Sequence, residues 1–478
     1  MARSLTRTLS IWFLLMREKD YKKICALADE LLEIDDASEY RIANSWLHIK
    51  KEHPVLYSQY KRPTRFLALR LLGYIMVALR AGFSSLFSRT LFNISSSCET
   101  LIVSHLINSD QLNSLKDPYF GDLGEKKTKS SVIFVNHLKL SESRIQTFNL
   151  ANKDKNIMYS SVPFLDEIKI QIGCVFDLLK ILKLARCVLN RRKRCFFTRA
   201  AIEAISPSTL KALRIKYQVE NILRSGSYRS LITTYEGHSY ERLLYQSTKN
   251  IKSSIVSYGY HHPAIFRLEH SSARALRAEF NPDVILCTGI IGHKQMRQKM
   301  VSSWANVEVF GTHKAEVTGH TPKNICLVLP EGLIDEFEFL YKFSIEVALL
   351  KPNIKFIFRV HPRMQTTSVY QKYINKQCLP TNVSFSSQPF KEDIAQAKWA
   401  IYRGSSAIIE ASRIGVVPIY AHCTDELHVD PLYELNEQVL RVNSPIMASS
   451  QMEKSINTES IMKYCQNIYS DRNLEVLL

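Results

Sequence analysis

The chain is 478 residues long, 46% hydrophobic and 23% charged, with 15 Gly and 16 Pro, which excludes a disordered polyampholyte, a fibrous repeat and a small stapled scaffold. Its 63 Lys and Arg against 45 Asp and Glu leave a formal charge of +18, so an anionic partner is expected; nucleic acid, anionic membrane and phosphorylated substrate all fit the charge. The length predicts two or three domains, each able to bury its own core.

In chain order, MARSLTRTLSIWFLLMREKD sets basic residues before a short apolar run, but Met16, Arg17 and Glu18 follow at once and no small-residue cleavage site appears. A signal peptide is not expected. KKICALADELLEI has the apolar spacing of a helix, and residues 1–125 read as a mainly helical region. Within it, Arg65–Arg89 is apolar over a length that could cross a bilayer, yet it contains Arg70 and Arg80. Each arginine would cost roughly 2.5–3.5 kcal/mol inside a membrane, which disfavours a span against a helix in the membrane interface or, the first reading, a plain buried helix. Together with the run Arg191, Arg192, Lys193, Arg194, it points to a cytoplasmic protein peripheral to the inner membrane. A solvated helix end is the alternative for that run.

GDLGEKKTKSS (121–131) reads as a linker, after which short apolar runs alternate with helical patterns: VIFVN (132–136), LITTY (231–235), SIVSYGY (254–260), DVILCTG (283–289) and VEVFG (307–311). A second series follows the polar segment 311–324, with ICLVLP (325–330), IKFIFRV (354–360), NVSFS (382–386), WAIY (399–402) and VVPIY (416–420). Alternating strand and helix signals predict parallel sheets with crossover helices. The expected fold is therefore α/β, two Rossmann-like domains (126–315 and 316–478) facing a cleft, behind a helical N-terminal extension (1–125). Ten cysteines are scattered singly without CxxC spacing, as expected of small apolar side chains in a reducing cytosol.

In such sheets ligands gather beyond the carboxyl ends of the strands. Four places there carry chemistry. Tyr235 closes LITTY and Glu236-Gly237-His238 follows it, and Glu236 suits a general base that takes a proton from a hydroxyl; a helix start in which Glu236 and Glu241 favour the dipole is the alternative. Arg359-Val360-His361-Pro362-Arg363 ends a β run, with Pro362 stopping the strand so that imidazole and guanidinium groups are presented to a phosphate. Gly404-Ser405-Ser406 opens a helix and would bind an anion through hydroxyls and backbone N–H groups, or simply cap it. Gly259-Tyr260-His261-His262-Pro263 lacks a third ligand at metal spacing and reads as a polar loop on the acceptor side, with His238 beside it. Glu331, in Pro330-Glu331-Gly332, would touch a nucleoside or sugar, or cap the next helix. No P-loop, GxGxxG, GxSxG or DxD element is present, which disfavours P-loop, dinucleotide and serine-hydrolase chemistry and a metal-held diphosphate.

The order of an acidic-Gly element (Tyr235-Glu236-Gly237), His-Pro (His361-Pro362) and Ser-Ser (Ser405-Ser406) resembles the GT-B glycosyltransferases of bacterial surface-carbohydrate synthesis, in particular the sialyltransferase-like group. The likeness covers about residues 130–440. It implies a glycosyltransferase of capsule or lipopolysaccharide synthesis that needs no metal or other cofactor and uses a nucleotide-sugar donor, with a CMP-activated acidic sugar favoured. The acceptor would be a glycan or lipid-linked glycan, bound by the first Rossmann-like domain near His238, His261 and His262. By the same resemblance Glu236 would be the base and His361 would meet the donor phosphate, with Arg359, Pro362, Arg363, Gly404, Ser405, Ser406 and Glu331 completing the donor site in the second. CDP-glycerol glycerophosphotransferases share the His-Pro and Ser-Ser layout and are the alternative, as is a non-catalytic scaffold on the same fold. Lys and Arg spread over the whole chain rather than interleaving with aromatics on one stretch, so nucleic acid is not expected as a partner.

Overall fold

A computed structural model describes residues 18–34, 37–49, 67–86, 91–109, 111–114, 117–126, 129–252, 254–262, 264–300, 305–313, 319–361, 364, 367–368, 370–371, 379–423 and 429–477. The α/β, GT-B-like architecture expected from the sequence is present as two all-parallel sheets. The first has seven strands: β1 (Thr100–Leu106), β2 (Ser130–Asn136), β3 (Lys155–Ile157), β4 (Ser230–Thr234), β5 (Val256–His261), β6 (Val284–Cys287) and β7 (Asn306–Val309), in the order β3-β2-β1-β4-β5-β6-β7. The second has six: β8 (Ile325–Leu329), β9 (Lys355–Phe358), β10 (Val383–Phe385), β11 (Trp399–Tyr402), β12 (Val417–Ala421) and β13 (Leu440–Val442), in the order β10-β9-β8-β11-β12-β13. Each sheet therefore reverses direction once, between β1 and β4 and between β8 and β11. Those two reversals are the topological switch points at which open α/β sheets bind ligands.

One element departs from the sequence reading. The centre of the first sheet is β1, which lies in the stretch read as helical, so GDLGEKKTKSS belongs to the connection from β1 to β2 inside one sheet rather than to a linker between domains. All seven residues of β1 are buried. Leu101 and Val103 enter the apolar cluster on one face, while Ile102 and Leu106 enter the cluster on the other. A strand covered on both faces loses the alternation of apolar and polar residues that marks a half-exposed strand.

The helix Glu18–Leu32 packs into the same cluster as Leu101 and Val103, burying Tyr21, Cys25, Ala28, Leu31 and Leu32. Charge fixes its place: Asp29 meets Arg274 Nη1 at 2.9 Å and His270 Nε2 at 2.9 Å. A further ion pair is fully enclosed, Arg41 Nε donating to Asp177 Oδ1 at 2.9 Å, with side chains 0% and 1% exposed. The chain end then returns across the molecule. The helix Glu459–Ile468 lies against Ala407–Arg413 of the second half and Ile290–Lys299 of the first. Ser470 N donates to Thr288 O, Thr312 N donates to Ser470 O, Arg472 Nη1 reaches Asp122 Oδ1 at 3.0 Å, and Leu477 joins the core of the first sheet.

A buried charge left without its partner is costly, whereas an apolar pair of similar volume is not. Arg41→Ala is expected to lower unfolding free energy by about 3–5 kcal/mol, and the double variant Arg41→Met with Asp177→Leu to lose much less. Urea denaturation midpoints of the three proteins measure the difference.

Candidate functional site

Beyond the carboxyl ends of β1, β2, β4 and β5 the first sheet gathers four histidines. His105, the penultimate residue of β1, places Nδ1 2.8 Å from His137 Nε2 and Nε2 3.0 Å from Thr234 Oγ1. The Tyr240 hydroxyl lies 3.1 Å from that same Nε2. His262, just after β5, sets Nε2 2.7 Å from Glu236 Oε1, and His238 sets Nε2 3.4 Å from Glu236 Oε2. The Tyr119 ring meets His262 edge-on with centroids 4.5 Å apart. Burial, and after it the charge of Glu236, pushes the Tyr119 phenol well above its ordinary range. The Glu236 carboxylate is a quarter exposed, so it is both held by imidazoles and open to an incoming group.

The loop that presents Glu236 is shaped by a carboxylate one turn further on. Glu241, fully buried, accepts from Thr234 Oγ1 at 2.9 Å, from Glu236 N at 3.1 Å and from His238 N at 2.8 Å. Three donors on one side chain fix the passage from β4 into the helix Ser239–Ile251 and satisfy N–H groups that a helix start leaves open. Gly237 sits within this turn at φ +77°, and a Cβ there would come 2.1 Å from Ser271 Oγ. No other residue type fits without strain. A cavity of about 200 Å³ opens beside the cluster, lined by Ser45, His137, Ser208, Lys211, His238 and Tyr240.

His105, Glu236 and His238 also bring ligand atoms within 4.8 Å of one another. Both ring nitrogens of His105 already face protein groups, so holding a cation there would break those bonds. The arrangement is that of a hydrogen-bonded network feeding one carboxylate.

His261 does not join it. As the last residue of β5 it points to the opposite side from His262, is 2% exposed and lies 3.5 Å from buried Glu269. Burial opposes ionisation of Glu269, but His261, Ser272 and a backbone N–H outweigh it and hold the carboxyl below its ordinary value. That pairing belongs to the core.

The second sheet brings together three of the sequence elements at its own switch point. A Cβ on Gly404 would lie 2.2 Å from Glu331 Oε1, and one on Gly332 would lie 2.8 Å from His361 Nδ1, so the loops after β8, β9 and β11 touch. They enclose a cavity of about 300 Å³ lined by Pro330, Arg359, His361, Ser386, Phe390 and Ser405 among others. Arg359 forms its wall, with Nη1 donating to Asp393 Oδ2 at 2.6 Å and Gln388 O at 2.7 Å. Ser406 stands at the start of Ala407–Arg413 in a helical conformation, and its hydroxyl does not cap that helix. The preceding Arg403 is enclosed, Nε lying 2.7 Å from Glu336 Oε2, and so braces the Ser405 loop from behind. Pro362 and Arg363 lie outside the described residues. The two halves meet near the first site: Ala264, two residues beyond His262, joins the apolar cluster that contains Leu329, Tyr402 and Ile408 at the carboxyl end of the second sheet.

No protein-family model matches the chain, and no curated protein matches it by sequence. Among solved structures it is similar to one described as a UDP-N-acetylglucosamine 2-epimerase from Listeria monocytogenes (10% identity, 78% of this chain and 93% of that one, TM-score 0.44). It is similar too to UGT2 of Phytolacca americana complexed with UDP-2-fluoroglucose and pterostilbene (10% identity, 78% and 93%, TM-score 0.43). A third is the N-terminal domain of a trehalose-6-phosphate phosphatase from Candida albicans (11% identity, 80% and 95%, TM-score 0.42). Likenesses this distant concern the fold and do not choose between an epimerase and a transferase.

Gly237→Ala combines a left-handed φ with a backbone-flanked clash and is expected to lower stability by at least 1–3 kcal/mol, roughly the cost of one strained residue. Gly73→Ala, in a helix interior with nothing within 4 Å, is expected to raise it by about 1 kcal/mol. Thermal unfolding of both variants checks the pair of signs.

Proposed function

We propose that the protein is a glycosyltransferase that moves a sugar from a nucleotide donor to a hydroxyl of a glycan acceptor. The observation that carries this reading is the cavity of about 300 Å³ at the second switch point, lined by Arg359, His361 and Ser405, with Glu331 packed against the Gly404 turn beside it, so that three separate stretches of sequence converge there. The switch point of the other sheet carries a carboxylate held by two imidazoles. An inverting transferase, working by direct displacement, needs both: a base for the acceptor hydroxyl and a site for the departing phosphate.

In this reading the acceptor enters the cavity beside His137 and His238. Glu236 accepts the proton of its hydroxyl as the oxygen attacks the anomeric carbon, and the bond from that carbon to the nucleotide phosphate breaks with the electron pair staying on the phosphate. His262 and His238 keep the carboxylate oriented and share the charge change. His361 and the Ser405 and Ser406 hydroxyls receive the phosphate, while Arg359 shapes the wall against which it sits. The resemblance to sialyltransferase-like enzymes favours a CMP-activated acidic sugar and a surface glycan acceptor, and makes CDP-glycerol the second donor to test.

Thermal shift against CMP, CDP, UDP, GDP and ADP, with and without EDTA, is the direct test, since a ligand of the native state raises Tm. A shift with CMP that EDTA leaves unchanged is the expected result. A CDP preference would select glycerol-phosphate transfer, a metal-dependent UDP or GDP shift would overturn the metal-free donor site, and no shift at all would favour a scaffold. Glu236→Gln is expected to reduce turnover by about 10²–10⁴-fold with donor affinity nearly unchanged, and His361→Ala to weaken both. Retained turnover in Glu236→Gln removes the base assignment.

A further inference from the structure

The helix Leu67–Ser85 is neither buried nor spanning. Among the described residues no helix is long and apolar enough to cross a membrane, yet Leu69, Leu72, Met76, Leu79 and Phe83 are 57–69% exposed. Their spacing of three and four residues makes them one stripe along the helix. Beside it runs Phe164–Cys187, joined through Gln171 Nε2, which donates to Ala78 O at 3.0 Å. That second helix turns its own stripe outward: Leu165, Ile172, Phe176 and Leu179 are 51–72% exposed. Two adjacent helices thus show water a continuous apolar surface of a kind that soluble monomers rarely leave bare.

The charges on these helices are sorted. Every carboxylate of the pair turns inward and is bonded: Asp166 to Tyr217, Glu167 to Arg214, Asp177 to Arg41. The exposed charged residues are cations: Arg70, paired with Glu203, and Arg80 on the first helix, and Lys169, paired with Asp166, with Lys180, Lys183 and Arg186 on the second, followed at the start of the next helix by Arg191, Arg192 and Arg194. An apolar surface whose exposed charges are all cations matches a bilayer with anionic headgroups, where apolar side chains enter the acyl boundary and long cations reach phosphates. A two-fold pair through this face would offer these cations no exposed carboxylate from the same helices, whereas anionic headgroups supply the opposite charge.

We propose that the paired helices Leu67–Ser85 and Phe164–Cys187 are a docking surface for an anionic lipid bilayer. The assignment stands on exposure and charge alone and is independent of the transfer chemistry. The test is co-sedimentation of the full chain with phosphatidylcholine vesicles and with vesicles containing about one quarter phosphatidylglycerol. Binding is expected to the anionic vesicles and to weaken as salt rises. The double variant Leu72→Ser with Phe176→Ser is expected to bind them at least about tenfold more weakly, with Tm unchanged or raised. Lys180→Glu with Lys183→Glu is expected to remove the preference for anionic lipid. Wild-type protein that stays in the supernatant, or serine variants that sediment as the wild type does, would overturn the proposal. So would a dimer in light scattering that the serine variants abolish while vesicle binding persists.

Discussion

The first half of the cleft depends on a single buried carboxylate. Glu241 accepts from Thr234, from Glu236 N and from His238 N, and these bonds set where the chain leaves β4, how tightly it turns and which way the next helix runs. The turn requires the left-handed Gly237, and the helix places Tyr240 against His105. Glu236 is consequently aimed by another acid that never meets solvent. Because a buried carboxylate fixes the turn, Glu236 keeps a partly exposed environment without losing its orientation.

The second half is organised by close approach rather than by a buried charge. Gly332 and Gly404 let the loops of three strands come within contact of Glu331 and His361, and Arg403 with Glu336 backs the loop that carries Ser405. Any side chain at either glycine would have to displace a functional group, so the smallness of these positions is part of the cavity's shape. Arg359 illustrates the same economy. Its bonds to Asp393 and Gln388 tie β9 to the connection after β10, fixing a wall before any ligand arrives.

Much of this was legible in the sequence, and the misses have physical reasons. The strands ending in Glu236, His361 and Gly404 stood out because polar residues interrupt strongly apolar runs at the end of each. β1 was missed because a strand buried on both faces shows no alternation and TLIVSHL can as well be a helical turn. With β1 went His105, and with it the reason why His137, after the next strand, belongs to the site. The histidine count near strand ends was the available signal, but only the order β2-β1-β4-β5 brings those ends together. His261 and His262 could not be separated by sequence, since adjacent residues at a strand end take opposite sides and either could have faced the cleft. Glu241 looked like a helix-favouring acid, which it is, and only three-dimensional bonding reveals what else it holds.

The chain crosses between the two halves twice, once through the segment 311–324 and again where Ile468–Asn473 returns to Thr288, Phe310 and Thr312. The crossings touch, for a Cβ on Gly311 would lie 2.1 Å from Asp471 O. The halves are held by side chains as well, since Ala264 and Ile291 pack into the apolar cluster of the second sheet and Gln295 Nε2 donates to the Tyr464 hydroxyl at 3.2 Å. Sliding one half past the other would tear the second crossing. Any movement of one half against the other must therefore work against these side-chain contacts as well as turn the backbone.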